Sequence, residues 1–142
     1  MTALRASAAP LYLDTSVALR ATLEQGTTPE IEKRIAAAPV LVTSRLSLVE
    51  SARALLRVRI QSNVPESRLA DARRELDALW NRCELWELSP AVCDLASLIT
   101  PDKVLRTLDA LHLATFLMAR ARIEGLELLT ADKRLEDVAS SA

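Results

Sequence analysis

Apolar residues follow two rhythms along this chain. Short runs predict strands: "LYLD" at 11–14, "VLVT" at 40–43, the alternating "CELWEL" at 83–88 and "LELLT" at 126–130. Longer stretches with apolar positions three and four apart predict helices at about 16–25, 29–38, 45–61, 66–82, 90–99 and 107–122. A short last helix begins at Asp132. In the 66–82 stretch the stripe is Leu69, Ala72, Leu76 and Leu79. Pro29 and Pro90 suit first helical turns, and Thr107 can cap the helix it opens. Gly26 and the Asn63-Val64-Pro65 stretch break the pattern.

Strands alternate with helices, and the strands are apolar on both faces. That combination gives an α/β fold with a mainly parallel sheet, covered by helices on both sides, with right-handed crossovers. The 142 residues suit a single domain spanning 1–142, with 1–10 as a short flexible lead. No repeat or low-complexity segment divides it. The start, "MTALRASAAP", has no signal-peptide core, and no apolar run is long enough to span a membrane.

Acids fall where such a sheet builds sites, at the carboxyl ends of its strands. Asp14 ends the first strand, Glu50 lies on the helix after the second, and Asp132 follows the last. Asp109 opens a helix that reads as apolar on nearly every side, through Leu105, Leu108, Leu111, Leu113, Ala114, Phe116 and Leu117. A carboxylate buried there is costly unless it is paired or metal-bound. Each acid has a structural alternative. Asp14 and Asp132 can cap helices, Asp109 can serve a helix N-terminus, and Glu50 can pair with Arg53 on the next turn. Their shared position on one sheet edge favours a joint role. Converging carboxylates repel unless cations bind them, and oxygen donors suit Mg2+ or Mn2+.

Composition narrows the chemistry. Aromatics make up 3% of the chain, which argues against single-strand binders that stack bases on aromatic platforms. A net charge of −1 gives no global basic footprint, although arginines cluster on the two central helices at Arg53, Arg57, Arg59, Arg68, Arg73 and Arg74. Those arginines suit a solvated face or a contact with a nucleic-acid backbone, Arg53 first among them for its closeness to Glu50. Cys83 and Cys93 form no C-x-x-C pair and read as small buried thiols in a reducing cytoplasm. His112 is the single histidine, which excludes a metal-free ribonuclease built on two histidines; its apolar helix suggests a packed, hydrogen-bonded ring. No P-loop is present. An aspartate-based phosphatase needs a second acid where Ser16 stands.

The ordered motifs "LYLDTSV", "TSRLSLVESARAL", "TLDALHLATFLMA" and "LLTADKRL" resemble those of PIN-domain ribonucleases. Within that family the chain looks most like the VapC toxins of toxin–antitoxin pairs, from about residue 11 to 138. The resemblance implies a PIN-like three-layer α/β/α domain with four or five strands. It implies that Asp14, Glu50 and Asp109 bind Mg2+ or Mn2+ with Asp132 as a more variable fourth, and that Ser16 and Thr130 orient the acids or touch substrate. It further implies an endoribonuclease that cuts single-stranded or loop RNA, a small VapB-like antitoxin as partner, and a homodimer. The chain departs from the pattern after its last helix, where "EDVASSA" offers no further edge strand. A degenerate PIN fold that only binds RNA or a partner is the alternative, and the presence of all four acids argues against it.

Overall fold

The computed structural model describes residues 8–142, so the first seven residues of the expected lead lie outside it. The elements run β1 (Leu11–Leu13), α1 (Thr15–Ala21), α2 (Pro29–Ala37), β2 (Leu41–Ser44), α3 (Arg45–Gln61), α4 (Glu66–Arg82), β3 (Cys83–Trp86), α5 (Pro90–Leu98), α6 (Thr107–Arg120), β4 (Glu127–Leu129) and α7 (Lys133–Ser140). The four strands form one parallel sheet in the order β3-β2-β1-β4. Helices cover both faces, giving the three-layer α/β/α architecture.

Alternation along β1 divides the core. Leu11 and Leu13 face a cluster with Val17, Ile35, Leu55, Leu69 and Leu76. Tyr12, between them, faces the opposite cluster with Leu113, Phe116 and Leu135. All three β1 side chains are almost wholly buried, as expected for a central strand of a sheet covered on both sides. The register Leu11↔Leu41 and Leu11↔Glu127 places β1 between β2 and β4. The chain winds outward from β1 through β2 to β3, then returns to β4 on the other side. Open parallel sheets bind ligands at such a reversal, beyond the carboxyl ends of the strands, which here is the end of β1.

Two boundaries and one expected burial differ from the sequence pattern. The first helix ends at Ala21, short of 25, because Arg68 on α4 donates to the carbonyls of Thr22 and Leu23 at 2.6 and 2.8 Å. The turn then closes at Gly26, whose φ of +88° favours glycine. The third strand stops at Trp86, which pairs with the last residue of β2, Ser44; Glu87 turns away to bind Arg45. The expected burial of both cysteines is not met: Cys83 is half-buried and Cys93 is exposed. Four strands form, with β3 and β4 at the edges.

Candidate active site

Asp14 follows β1 directly and is 5% exposed. Its oxygens are held from several sides. Oδ1 accepts from the Ser16 hydroxyl at 2.6 Å and the Val17 N–H at 3.3 Å, and Oδ2 accepts from the Thr130 hydroxyl at 2.5 Å. The side chain therefore caps α1 and is also gripped by both hydroxyls singled out from the sequence. Burial raises its pKa, and the bonds from Ser16 and Thr130, the nearby His112 and the Val17 N–H offset only part of that.

Glu50 points from α3 to the same region. Its Oε1 accepts from the Thr15 hydroxyl at 2.8 Å and lies 2.6 Å from His112 Nε2. Thr15 sits next to Asp14 in the chain, so α1 links the two acids. The alternative ion pair with Arg53 does not form. Burial alone would raise the Glu50 pKa, but the His112 hydrogen bond and charge, with the Thr15 hydroxyl, hold it below the usual range. His112 is packed and hydrogen-bonded as its sequence context suggests. Its tie to an acid of the site was not visible in the sequence, because the two residues are 62 positions apart.

Asp132 and Asp109 occupy the other side. Asp132 caps α7 through Oδ1, which accepts from the N–H groups of Arg134 and Leu135 at 2.9 and 3.4 Å. Thr130 joins it to Asp14, since the Asp132 N–H donates to the Thr130 hydroxyl at 2.9 Å. Ser16 completes this corner by accepting from the Ala131 N–H at 2.9 Å. Asp109 lies in the first turn of α6, where its Oδ2 is 3.3 Å from Arg106 Nε. Arg106 also reaches Asp132 Oδ2 at 3.9 Å. The expectation of a deeply buried Asp109 is corrected here. Its side chain is 17% exposed and the first turn of α6 is open, with Leu108 47% exposed. The fully buried stripe begins only at His112.

The seven residues picked from the sequence thus separate into groups. Asp14, Ser16, Thr130 and Asp132 form one hydrogen-bonded corner. Glu50 joins it through Thr15, and Asp109 through Arg106. Arg53 is exposed on α3 and makes no ion pair with any described residue, whereas Arg59, Arg68, Arg73 and Arg74 each pair with an acid. Thr15, Arg106, His112 and Tyr12 are the members that sequence reasoning did not assign to the site.

The donors are carboxylate oxygens, as a hard divalent cation requires. One oxygen of each acid is lightly used: Glu50 Oε2 and Asp109 Oδ1 accept no hydrogen bond from a described residue, and Asp14 Oδ2 accepts one. Asp132 Oδ2 has only the long contact with Arg106. The donor set fits the cation in its chemistry. Among the described residues, no three His, Cys, Asp or Glu side chains are gathered into a single metal-binding group. The acids are bridged in pairs instead, with Arg106 supplying the positive charge between Asp109 and Asp132.

Comparison with known proteins adds a second line of support. Residues 11–141 match the family model described as PIN domain. The chain is 32% identical over 133 residues to Ribonuclease VapC46 of Mycobacterium tuberculosis (strain ATCC 25618 / H37Rv), covering 94% of this chain and 92% of that protein. Its fold is similar to the crystal structure of PAE2754 from Pyrobaculum aerophilum, with a TM-score of 0.64, 22% identity, and coverage of 95% of this chain and 83% of the other. A toxin–antitoxin complex from Klebsiella pneumoniae contains a chain of similar fold, with a TM-score of 0.62 and 19% identity, covering 87% of this chain and 88% of that one.

Proposed function

The chain belongs to the PIN-domain family, and from that premise we propose that it is a metal-dependent endoribonuclease, the toxin of a toxin–antitoxin pair. The observation that carries this reading is Asp14. A carboxylate 5% exposed at the end of the central strand is joined through hydroxyls and N–H groups to a second and a third acid. A purely structural cap does not need that company. The likeness to Ribonuclease VapC46 supports RNA as substrate.

Asp14, Glu50, Asp109 and Asp132 would hold Mg2+ or Mn2+. A divalent cation there supplies Lewis-acid activation of water and neutralises charge on the phosphate. The chain's own residues do the rest. Ser16 and Thr130 fix both oxygens of Asp14, and Thr15 and His112 fix Glu50. Arg106 and the unpaired Arg53 would bind phosphates flanking the cut. Hydrolysis forms a new oxygen–phosphorus bond and breaks the bond from phosphorus to the 3′ oxygen, which takes a proton. The products are a 5′-phosphate and a 3′-hydroxyl.

Among the described residues no helix is long and apolar enough to cross a membrane, and a cytoplasmic place is part of this proposal. So are a VapB-like antitoxin, supported by the Klebsiella complex, and a homodimer, supported by exposed Leu98, Val104 and Leu108 around the α5–α6 connection.

Purified protein is expected to cut loop-containing RNA with Mg2+ or Mn2+ and to stop with EDTA, and Asp14→Asn should abolish cutting. Undiminished cleavage in EDTA rules out the metal mechanism. Expression without the partner is expected to arrest growth, and Glu50→Gln is not. Equal behaviour of the two proteins argues for a binding module without catalysis.

A further inference from the structure

Tyr12 and His112 connect the buried middle of the sheet to Glu50. Tyr12 is the central residue of β1, with no exposed surface, and its ring meets His112 and Phe116 edge-on. Its hydroxyl lies 2.9 Å from His112 Nδ1, and His112 Nε2 lies 2.6 Å from Glu50 Oε1. Three separate elements, β1, α6 and α3, are tied by these two bonds.

Bond directions follow from what each group can donate. A carboxylate oxygen accepts, and Glu50 Oε1 already takes the Thr15 hydroxyl at 2.8 Å. His112 Nε2 must then carry a proton and donate it. The Tyr12 hydroxyl shares a hydrogen bond with Nδ1 at 2.9 Å and so fixes the ring from its other side. Oε1 accepts from both Nε2–H and the Thr15 hydroxyl, which engages both of its lone pairs. Oε2 accepts nothing from a described residue.

The geometry points to Tyr12 and His112 as positioning residues that commit Glu50 Oε1 to the protein and leave Oε2 as the single oxygen with which Glu50 binds a divalent cation. This rests on the metal-dependent reading above. The general logic is that of an outer shell: a hydrogen-bonded partner fixes the orientation and basicity of a ligand, and its loss costs about 10–100-fold in metal affinity. Asp109 lies one turn before His112 on α6, so the same lock also sets the helix that carries a second acid.

The test is Mn2+ binding by titration calorimetry on the full chain, with melting curves to check folding. Glu50→Gln is the reference for losing the ligand. His112→Leu keeps apolar bulk but removes the donor, and should weaken Mn2+ binding by about 10-fold or more. His112→Gln restores an N–H where Nε2 sits, and should recover most of that loss. Tyr12→Phe, which keeps the ring, should weaken binding by less than His112→Leu. Because the chain has one histidine, nitrogen NMR of the imidazole reads the bond to Glu50 directly: Nε2 is expected to carry a proton in wild type and in Tyr12→Phe. If Glu50→Gln weakens binding but the His112 and Tyr12 variants bind as wild type does, the positioning role is wrong and the metal reading stands. If His112→Leu does not fold, an unprotonated Nε2 in wild type or unchanged affinity in Tyr12→Phe overturns the role equally well. If wild type binds no Mn2+, or Glu50→Gln binds as wild type does, the metal role of Glu50 falls and the positioning role with it.

Discussion

At Asp14, burial and hydrogen bonding pull in opposite directions, and burial wins. A folded pKa above the unfolded value means that the folded protein holds this proton more tightly. The stability Asp14 contributes is then full below its unfolded pKa and lost as pH rises through the folded pKa. Glu50 behaves in the opposite sense: its lowered pKa contributes stability above the unfolded value, lost as pH falls through the folded one. Metal-free Asp14→Asn is therefore expected to melt above wild type near neutral pH, with the gap closing towards about pH 3, where carboxylates protonate. Thermal melts in EDTA across that range check it; a variant that melts below wild type at neutral pH contradicts it. Asp109, which the sequence pattern marked as the buried acid, is the weaker lever. Its pair with the exposed Arg106 is worth about 0–1 kcal/mol, so Asp109→Asn should shift metal-free stability within that range. The pattern misled because helical periodicity cannot say that Leu108 faces solvent at the open end of α6.

Among the elements, α7 gives the cleanest separation of capping from chemistry. Asp132 caps it with two N–H bonds, and the sequence offered capping and metal binding as rival uses of the same side chain. The two uses engage different oxygens, so both can hold. Serine also caps well but is no carboxylate. Asp132→Ser should keep stability within about 0.5 kcal/mol of wild type while cleavage falls, and Asp132→Ala should lose about 1 kcal/mol as well. Melting and cleavage measured on both variants decide it; wild-type cleavage by Asp132→Ser makes this acid a cap alone. Strands and helices were legible because their apolar rhythms differ so clearly in "LYLD" and in the 66–82 stretch. Helix ends were less so. The stop of α1 at Ala21 depends on Arg68, a side chain 46 positions away that takes the Thr22 carbonyl.

For the molecule as a whole, the sequence carried the list of acids but not their connections. Order and spacing placed Asp14, Glu50, Asp109 and Asp132 on one edge, and the strand order β3-β2-β1-β4 puts the reversal of the chain beside β1. Thr15 and the Tyr12–His112 pair were not legible, because each acts through contacts that only the folded sheet creates; the Arg106–Asp109 pair is local at i,i+3, and only the reach of Arg106 to Asp132 needed the fold. The central claim is that these acids make the chain a metal-dependent endoribonuclease, and product chemistry tests it most directly. A metal-activated water leaves a 5′-phosphate, whereas attack by the RNA's own 2′-hydroxyl leaves a 5′-hydroxyl. RNA from cells expressing wild type or Asp14→Asn can be ligated through its 5′-phosphates and sequenced. The account predicts a small set of new 5′-phosphate ends in unpaired RNA with wild type and none with Asp14→Asn. New ends carrying 5′-hydroxyls, or the same 5′-phosphate ends from both proteins, would contradict it.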